Sequence, residues 1–218
     1  MPPSRDPKLQ ARRVVRALEA LYPETRCALL HTGPYQLLVA TILSAQCTDA
    51  RVNLVTPALF ARYPDPAGLS AAEPEELERL IHSAGFFRAK ARNLKAMAGK
   101  VVADHGGQVP ENLDALTALP GVGRKTAHVV LGNAFDIASG VVVDTHVKRL
   151  AYRLGLTGSR DPKVIERELN ATVPSKHWVN LSHRLIDHGR KICVARKPRC
   201  SACALAPICP KRGVTPAP

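Results

Sequence analysis

Aromatic side chains are scarce: one Trp, four Tyr and four Phe amount to 4% of the 218 residues. With so few strand-favouring rings, and with apolar positions recurring at helical spacing, the chain reads as all-α rather than as a sandwich or barrel. Long hydrophobic runs are missing as well. Stretches such as Val141-Val142-Val143 span a few residues, far below the roughly 18 needed to cross a bilayer, which excludes a membrane span. The opening MPPSRDPKLQ holds no apolar run of secretory type, and Asp6 is out of place in an organellar transit peptide. The chain is therefore expected to stay in the reducing compartment where it is made, so its six cysteines are not a disulfide scaffold. Acidic residues are also short, 18 against 31 Lys plus Arg, and the net charge of +13 points to a polyanionic partner.

What is present is a 45% hydrophobic chain, enough for one large or two small cores. Val14, Leu18 and Leu21 fall on one helical stripe, as do Leu77, Leu80, Ile81 and Ala84, the latter preceded by Ser70-x-x-Glu73 in the pattern of a capping box. The same spacing returns in Ala127, Val130, Leu131 and Ala134, and in Val147, Leu150, Ala151 and Leu154. Breakers at Gly33-Pro34, Tyr63-Pro64-Asp65-Pro66, Gly106-Gly107, Leu119-Pro120-Gly121 and Asp161-Pro162 divide the chain into about ten helices. No fixed-period repeat occurs. Val141-Val142-Val143 has no partner strand nearby and reads as a buried connector into a helix.

Leu119-Pro120-Gly121-Val122-Gly123-Arg124-Lys125-Thr126-Ala127 sets two glycines just ahead of a helical period. Gly-x-Gly alone is compatible with a plain loop. Glycine also frees the backbone to turn its N–H groups, and the helix start behind them, toward a phosphate. The single residue between the glycines excludes a nucleotide P-loop. Lys125 falls in the first helical turn; it is either a solvated surface charge or an amine at a position that disfavours a cation, the condition a nucleophilic amine needs. Asp144 directly precedes the next helix, where it fits an N-cap; a capped carboxylate is held rigidly and remains available for chemistry.

Cys193, Cys200, Cys203 and Cys209 follow C-x6-C-x2-C-x5-C. Four soft thiolates suit zinc or iron and sulfur. One close pair flanked by two single cysteines wraps something larger than one ion more readily than the two close pairs usual for structural zinc. Arg196, Lys197 and Arg199 lie between the first two ligands, and from Arg184 onward eight basic residues face Asp187 alone. A solvated charge run or a phosphate-binding surface would both look like this. Arg88, Lys90, Arg92, Lys95 and Lys100 form a second basic stretch. Cys27 and Cys47 read as inert thiols on apolar helical faces.

The hairpin with Lys125, the Val-Asp144-Thr-His146 segment and the cysteine tail together resemble the endonuclease III family, bifunctional DNA glycosylases and AP lyases of the helix-hairpin-helix superfamily, over about Tyr22 to Cys209. The resemblance implies two helical domains flanking a DNA-binding cleft: residues 28–137 as a barrel-like domain ending in the hairpin, and 1–27 with 138–218 as a composite domain. It implies a [4Fe–4S] cluster on the four cysteines of loop 193–209; the low-complexity stretch 210–218 after it reads, from its composition, as a mobile tail. Lys125 and Asp144 would be catalytic. Gln46 would fill the gap left by an extruded nucleotide, and Phe86 or, one residue along, Phe87 would wedge into the duplex. Gly121, Val122, Gly123, Arg124, His146, Arg196, Lys197 and Arg199 would also meet DNA. His128 stands where many relatives carry Asn, which leaves substrate preference open. The implied activity is removal of oxidised pyrimidines from duplex DNA, with lyase cleavage through a lysine Schiff base, by a cytoplasmic, nucleoid-associated monomer of bacterial or archaeal type. A mismatch adenine glycosylase shares hairpin, aspartate and cluster but generally lacks the lysine, and a non-enzymatic metal-stapled DNA-binding module would need neither Lys125 nor Asp144.

Overall fold

The computed structural model describes residues 3, 4 and 6–214 of the chain. Among these are α1 (Pro7–Leu21), α2 (Pro34–Leu43), α3 (Asp49–Arg62), α4 (Pro66–Ser70), α5 (Pro74–Ile81), α6 (Phe87–His105), α7 (Leu113–Thr117), α8 (Arg124–Ala134), α9 (Thr145–Arg153), α10 (Pro162–Thr172) and α11 (Trp178–Lys191), and no strand. Prolines mark the starts. Pro7, Pro34, Pro66, Pro74 and Pro162 occupy the first turns of α1, α2, α4, α5 and α10, where the missing N–H has no intrahelical acceptor to lose. None of the helices is long and apolar enough to cross a membrane.

The chain divides into two compact units, Cys27–Ile137 and a composite of Met1–Arg26 with Ala138–Pro218. In the continuous unit, α2 is buried from Leu37 to Leu43 and is enclosed by Leu94, Met97, Ala98 and Val101 of α6 and Ala127, Val130 and Leu131 of α8. The second core joins Val14 and Leu18 of α1, Val147, Leu150 and Ala151 of α9, Ile165 and Leu169 of α10, and Leu181 and Leu185 of α11. Leu21, on the same stripe as Val14 and Leu18, is 40% exposed at the end of α1. Gly189 permits the close approach of α11 to α9: a Cβ there would lie 2.9 Å from both the Arg149 guanidinium and His146 Nδ1. The Val141-Val142-Val143 connector has no strand partner; its N–H groups donate to Asn170 Oδ1 at 3.0 Å and Ser182 Oγ at 3.0 Å.

Several local expectations are corrected. Ser70 does not cap α5: it ends α4, its hydroxyl donates to the Ala67 carbonyl, and Glu73 is the uncapped residue before Pro74. Pro74 restricts Glu73 to extended backbone, which moves the helix start past the box. Cys27 lies in coil and Cys47 in the turn after α2, both packed against the first core rather than on helical faces. The expected tail is anchored at its start, where the Lys211 N–H meets Cys209 Sγ at 3.3 Å and the Arg212 guanidinium reaches the Thr157 carbonyl at 3.1 Å; positions 215–218 lie outside the described residues.

Candidate active site and cysteine loop

The glycine turn connects α7 to α8. Gly121 has φ +76° and a Cβ there would approach the Asn93 side chain to 3.0 Å, so both conformation and space demand glycine. Gly123 is different. Its φ is −93°, a Cβ would meet nothing within 4 Å, and it caps α8 without a side-chain acceptor. Gly123 therefore offers the start of α8 no side-chain acceptor of its own. Val122, expected at the DNA, is 7% exposed, packs into the first core and donates its N–H to the Leu119 carbonyl at 3.1 Å. It anchors the turn from inside. Arg124 and Lys125 are exposed in the first turn of α8, and His128, one turn on, is 2% exposed.

Asp144, in the composite unit, caps α9: its Oδ1 accepts the Val147 N–H at 2.7 Å, which fixes the carboxylate while leaving it half-exposed. Two residues on, His146 Nδ1 lies 3.2 Å from the Arg149 guanidinium, which also donates to the Gly189 carbonyl at 3.0 Å. Burial lowers the pKa of Arg149, while the Cys193 thiol and the Asp144 carboxylate work in the opposite direction.

Gln46 and Phe86 share an unusual trait: both are exposed non-glycine residues with left-handed backbone, at φ 54° and 47°. Such conformations are strained and concentrate where a side chain must be aimed. Phe86 is 66% exposed. Phe87, by contrast, is half-buried and packs on the first core, with its ring 4.4 Å from that of His82. The basic stretch behind it is largely absorbed. Lys90 is buried on the Leu43 and Ala84 carbonyls, Lys95 Nζ donates to the Ala72 carbonyl at 2.7 Å, and Lys100 pairs with Asp104 at 2.7 Å. The helical period turns these lysines toward α2, α4 and their own last turn, which charge counting along the sequence cannot register.

Cys193, Cys200, Cys203 and Cys209 are free, half-buried and line one cavity. Burial pushes the Cys203 and Cys209 thiols up, and the neighbouring cysteines push them further against backbone donors that act the other way. Polar groups contact the sulfurs: Arg153 Nη1 donates to Cys193 Sγ at 3.4 Å, and His188 Nε2 lies 3.4 Å from Cys203 Sγ. Such contacts suit thiolates bound to a metal centre. Among the described residues, no three His, Cys, Asp or Glu side chains converge closely enough to hold a metal ion in the present geometry. Arg196, Lys197 and Arg199 are exposed on this loop, Lys197 with φ 52°. Arg184 leaves the basic field, for its guanidinium bonds Glu19 at 3.0 Å and the Tyr22 carbonyl at 3.1 Å.

The sequence pattern of the HhH-GPD superfamily of base excision DNA repair proteins matches residues 39–175, from α2 through the hairpin and Asp144. The chain belongs to that superfamily. Within it, endonuclease III of Synechocystis sp. is 54% identical over 203 residues, 93% of either chain, and endonuclease III of Bacillus subtilis is 44% identical over 190 residues, 87% of this chain and 86% of that one. A solved non-covalent endonuclease III–DNA complex matches with a TM-score of 0.88 at 40% identity, covering 94% of this chain and 95% of that chain. The all-helical HhH-GPD fold is thus shared along nearly the whole length.

Besides Arg184, two buried cations escaped the sequence reading. Arg153 is 8% exposed, and its guanidinium reaches the Val194 and Ala195 carbonyls at 2.8 Å each and the Cys193 carbonyl at 3.4 Å. Lys90 is the other. The available signal was that each stands at core spacing from an apolar position on its own helix, Leu150 three residues before Arg153 and Leu94 four residues after Lys90.

Proposed function

We propose that the chain removes oxidised pyrimidines from duplex DNA and then cleaves the abasic strand, with Lys125 as nucleophile and Asp144 as the carboxylate that stabilises positive charge at C1′. The observation that carries this reading is the exposed Lys125 amine at the uncapped start of α8. As the N-glycosidic bond breaks, the base departs with the bonding electrons and C1′ gains oxocarbenium character, which a fixed carboxylate offsets. The unprotonated amine adds to C1′. Loss of its proton and opening of the sugar ring give a Schiff base between Nζ and C1′. That imine acidifies C2′; removal of a C2′ proton breaks the C3′–O bond and releases the 3′-phosphate, and water then hydrolyses the imine to free Lys125.

DNA is held mainly through its backbone. The N–H groups at Gly123 and the start of α8 receive a phosphate, Gly121 shapes the turn, and Arg124, Arg196, Lys197 and Arg199 add cations, so affinity falls as salt rises. Gln46 and Phe86 enter the duplex at the extruded nucleotide. Cys193, Cys200, Cys203 and Cys209 would hold a [4Fe–4S] cluster, which when bound ties four points of the loop together by thiolate ligation. The shared cavity and the polar contacts on its sulfurs support that assignment.

Borohydride trapping tests the mechanism. Reduction should leave the wild-type chain covalently joined to DNA carrying an oxidised pyrimidine or an abasic site. Lys125→Gln should abolish the adduct and keep binding, whereas Asp144→Asn should slow base release yet still trap slowly on a preformed abasic site. An adduct forming at the wild-type rate with Lys125→Gln would assign the chemistry to another amine.

A further inference from the structure

Lys90 is 5% exposed, one turn into α6. Its ammonium donates to the Leu43 carbonyl at 2.8 Å and to the Ala84 carbonyl at 2.9 Å. Each carbonyl closes a segment: Leu43 is the last residue of α2, and Ala84 the last of the 3-10 turn His82–Ala84. These are acceptors at negative helical ends, left without intrahelical donors, and a buried cation satisfies two of them at once. Gln46 follows three residues after Leu43, and Phe86 two residues after Ala84. The Lys90 N–H itself donates to the Phe86 carbonyl at 3.0 Å, so both ends of this residue bear on the Phe86 turn.

An ionisable amine in a core costs stability that a methionine of similar length would not. Burial holds the Lys90 amine below the ordinary lysine range, with the nearby Cys47 thiol acting in the opposite sense. What the amine does and methionine cannot is join the two carbonyls. Strained left-handed residues persist only where surrounding structure over-determines them, and this one side chain bears on both.

We propose that Lys90 is a positioning residue for nucleotide extrusion: it fixes the Gln46 turn and the Phe86 turn as one unit, so that the two side chains enter the duplex in register. The inference rests on the reading that Gln46 and Phe86 enter the duplex. It assigns Lys90 no contact with DNA and no part in the chemistry at C1′.

The test uses two full-length DNA substrates, one with an oxidised pyrimidine paired to a purine and one with the same lesion opposite an abasic spacer, where extrusion costs little. Single-turnover base release and the fluorescence of 2-aminopurine beside the lesion are followed together. Lys90→Met should slow release from the paired lesion by about tenfold to a hundredfold and diminish the fluorescence rise, while slowing the unpaired lesion by less than about threefold. Gln46→Ala and Phe86→Ala should show the same preference. Adding Lys90→Met to the combined Gln46→Ala, Phe86→Ala variant should then cost less than about twofold more, because residues acting through one another are not additive. Lys90→Gln, whose amide keeps two donors, should recover part of the loss; if Lys90→Met does not fold by circular dichroism, Lys90→Gln carries the same comparisons. Equal slowing of both substrates, a wild-type rate on the paired lesion, or full additivity would overturn the proposal. If Gln46→Ala and Phe86→Ala leave the paired rate unchanged, the reading of those two side chains fails and the proposal with it; if they slow it while the Lys90 variants do not, only the proposal fails.

Discussion

The continuous and composite units each set a buried cation against several backbone carbonyls at once, a lysine in one and an arginine in the other. Lys90 gathers two acceptors from segments far apart in sequence, the ends of α2 and of the 3-10 turn before Phe86. Arg153 faces three successive carbonyls, Cys193 to Ala195, and one sulfur of a single loop. An ammonium is a compact point charge that can sit where two chain ends converge. A guanidinium is a planar fan whose donors spread along a stretch of backbone. The shape of the cation thus matches the acceptors it serves, two converging turns in one unit and a single extended loop in the other.

The largest effect should come from breaking the fan. Arg153→Leu leaves buried carbonyls unsatisfied and should cost about 3–5 kcal/mol, read as a lower thermal midpoint together with loss of the visible absorbance expected of the proposed cluster. Arg153→Lys should recover less than half of that; full recovery would mean that charge alone matters and would erase the contrast with Lys90. A middle-sized effect lies in the glycine turn. Gly121→Ala should destabilise by about 1–3 kcal/mol through its left-handed backbone and the Asn93 contact. Gly123→Ala should stay within about 0.5 kcal/mol in denaturant unfolding but weaken duplex binding measured by fluorescence anisotropy. The smallest concerns pH. Burial lowers the His183 pKa despite the attraction of Asp187, so the unfolded chain takes up the proton first as pH falls through about 6.5. Stability should decline from there toward the lower folded value, and His183→Gln should flatten the thermal midpoint between about pH 7.5 and 5.5, a loss confined to the composite unit.

Motifs that act through backbone and spacing were open to sequence reading. Gly121 and Gly123 lie where a turn meets α8, Asp161 and Asp144 cap the helices that follow them, and the core stripes at Leu77 and Ile81 or Val147 and Leu150 are buried. The destination of charge was not open. Lys90, Lys95 and Lys100 look like a basic stripe in one dimension, yet the ends of the first two turn to carbonyls of other segments and that of Lys100 to a carboxylate of its own helix. The inward packing of Val122 and Phe87 was hidden for a related reason: each adjoins a residue with left-handed backbone, Gly121 or Phe86, and sequence spacing does not show which of two neighbours in a tight turn is buried. Arg153 was invisible because its acceptors lie some forty residues downstream, in a loop with no regular pattern.

Gln10 gives the molecule an order of construction. Its buried amide donates from α1 to the Leu154 carbonyl and, across 198 residues of sequence, to the Ile208 carbonyl beside the last cysteine, at 2.8 Å each. On a ribosome the first helix emerges long before either acceptor exists. The continuous unit can close while α1 waits with Val14 and Leu18 uncovered until α9, α10 and α11 bring their core partners, and the Ile208 carbonyl completes the pair on Gln10 last. The chain's earliest segment is thus among the last to find its place.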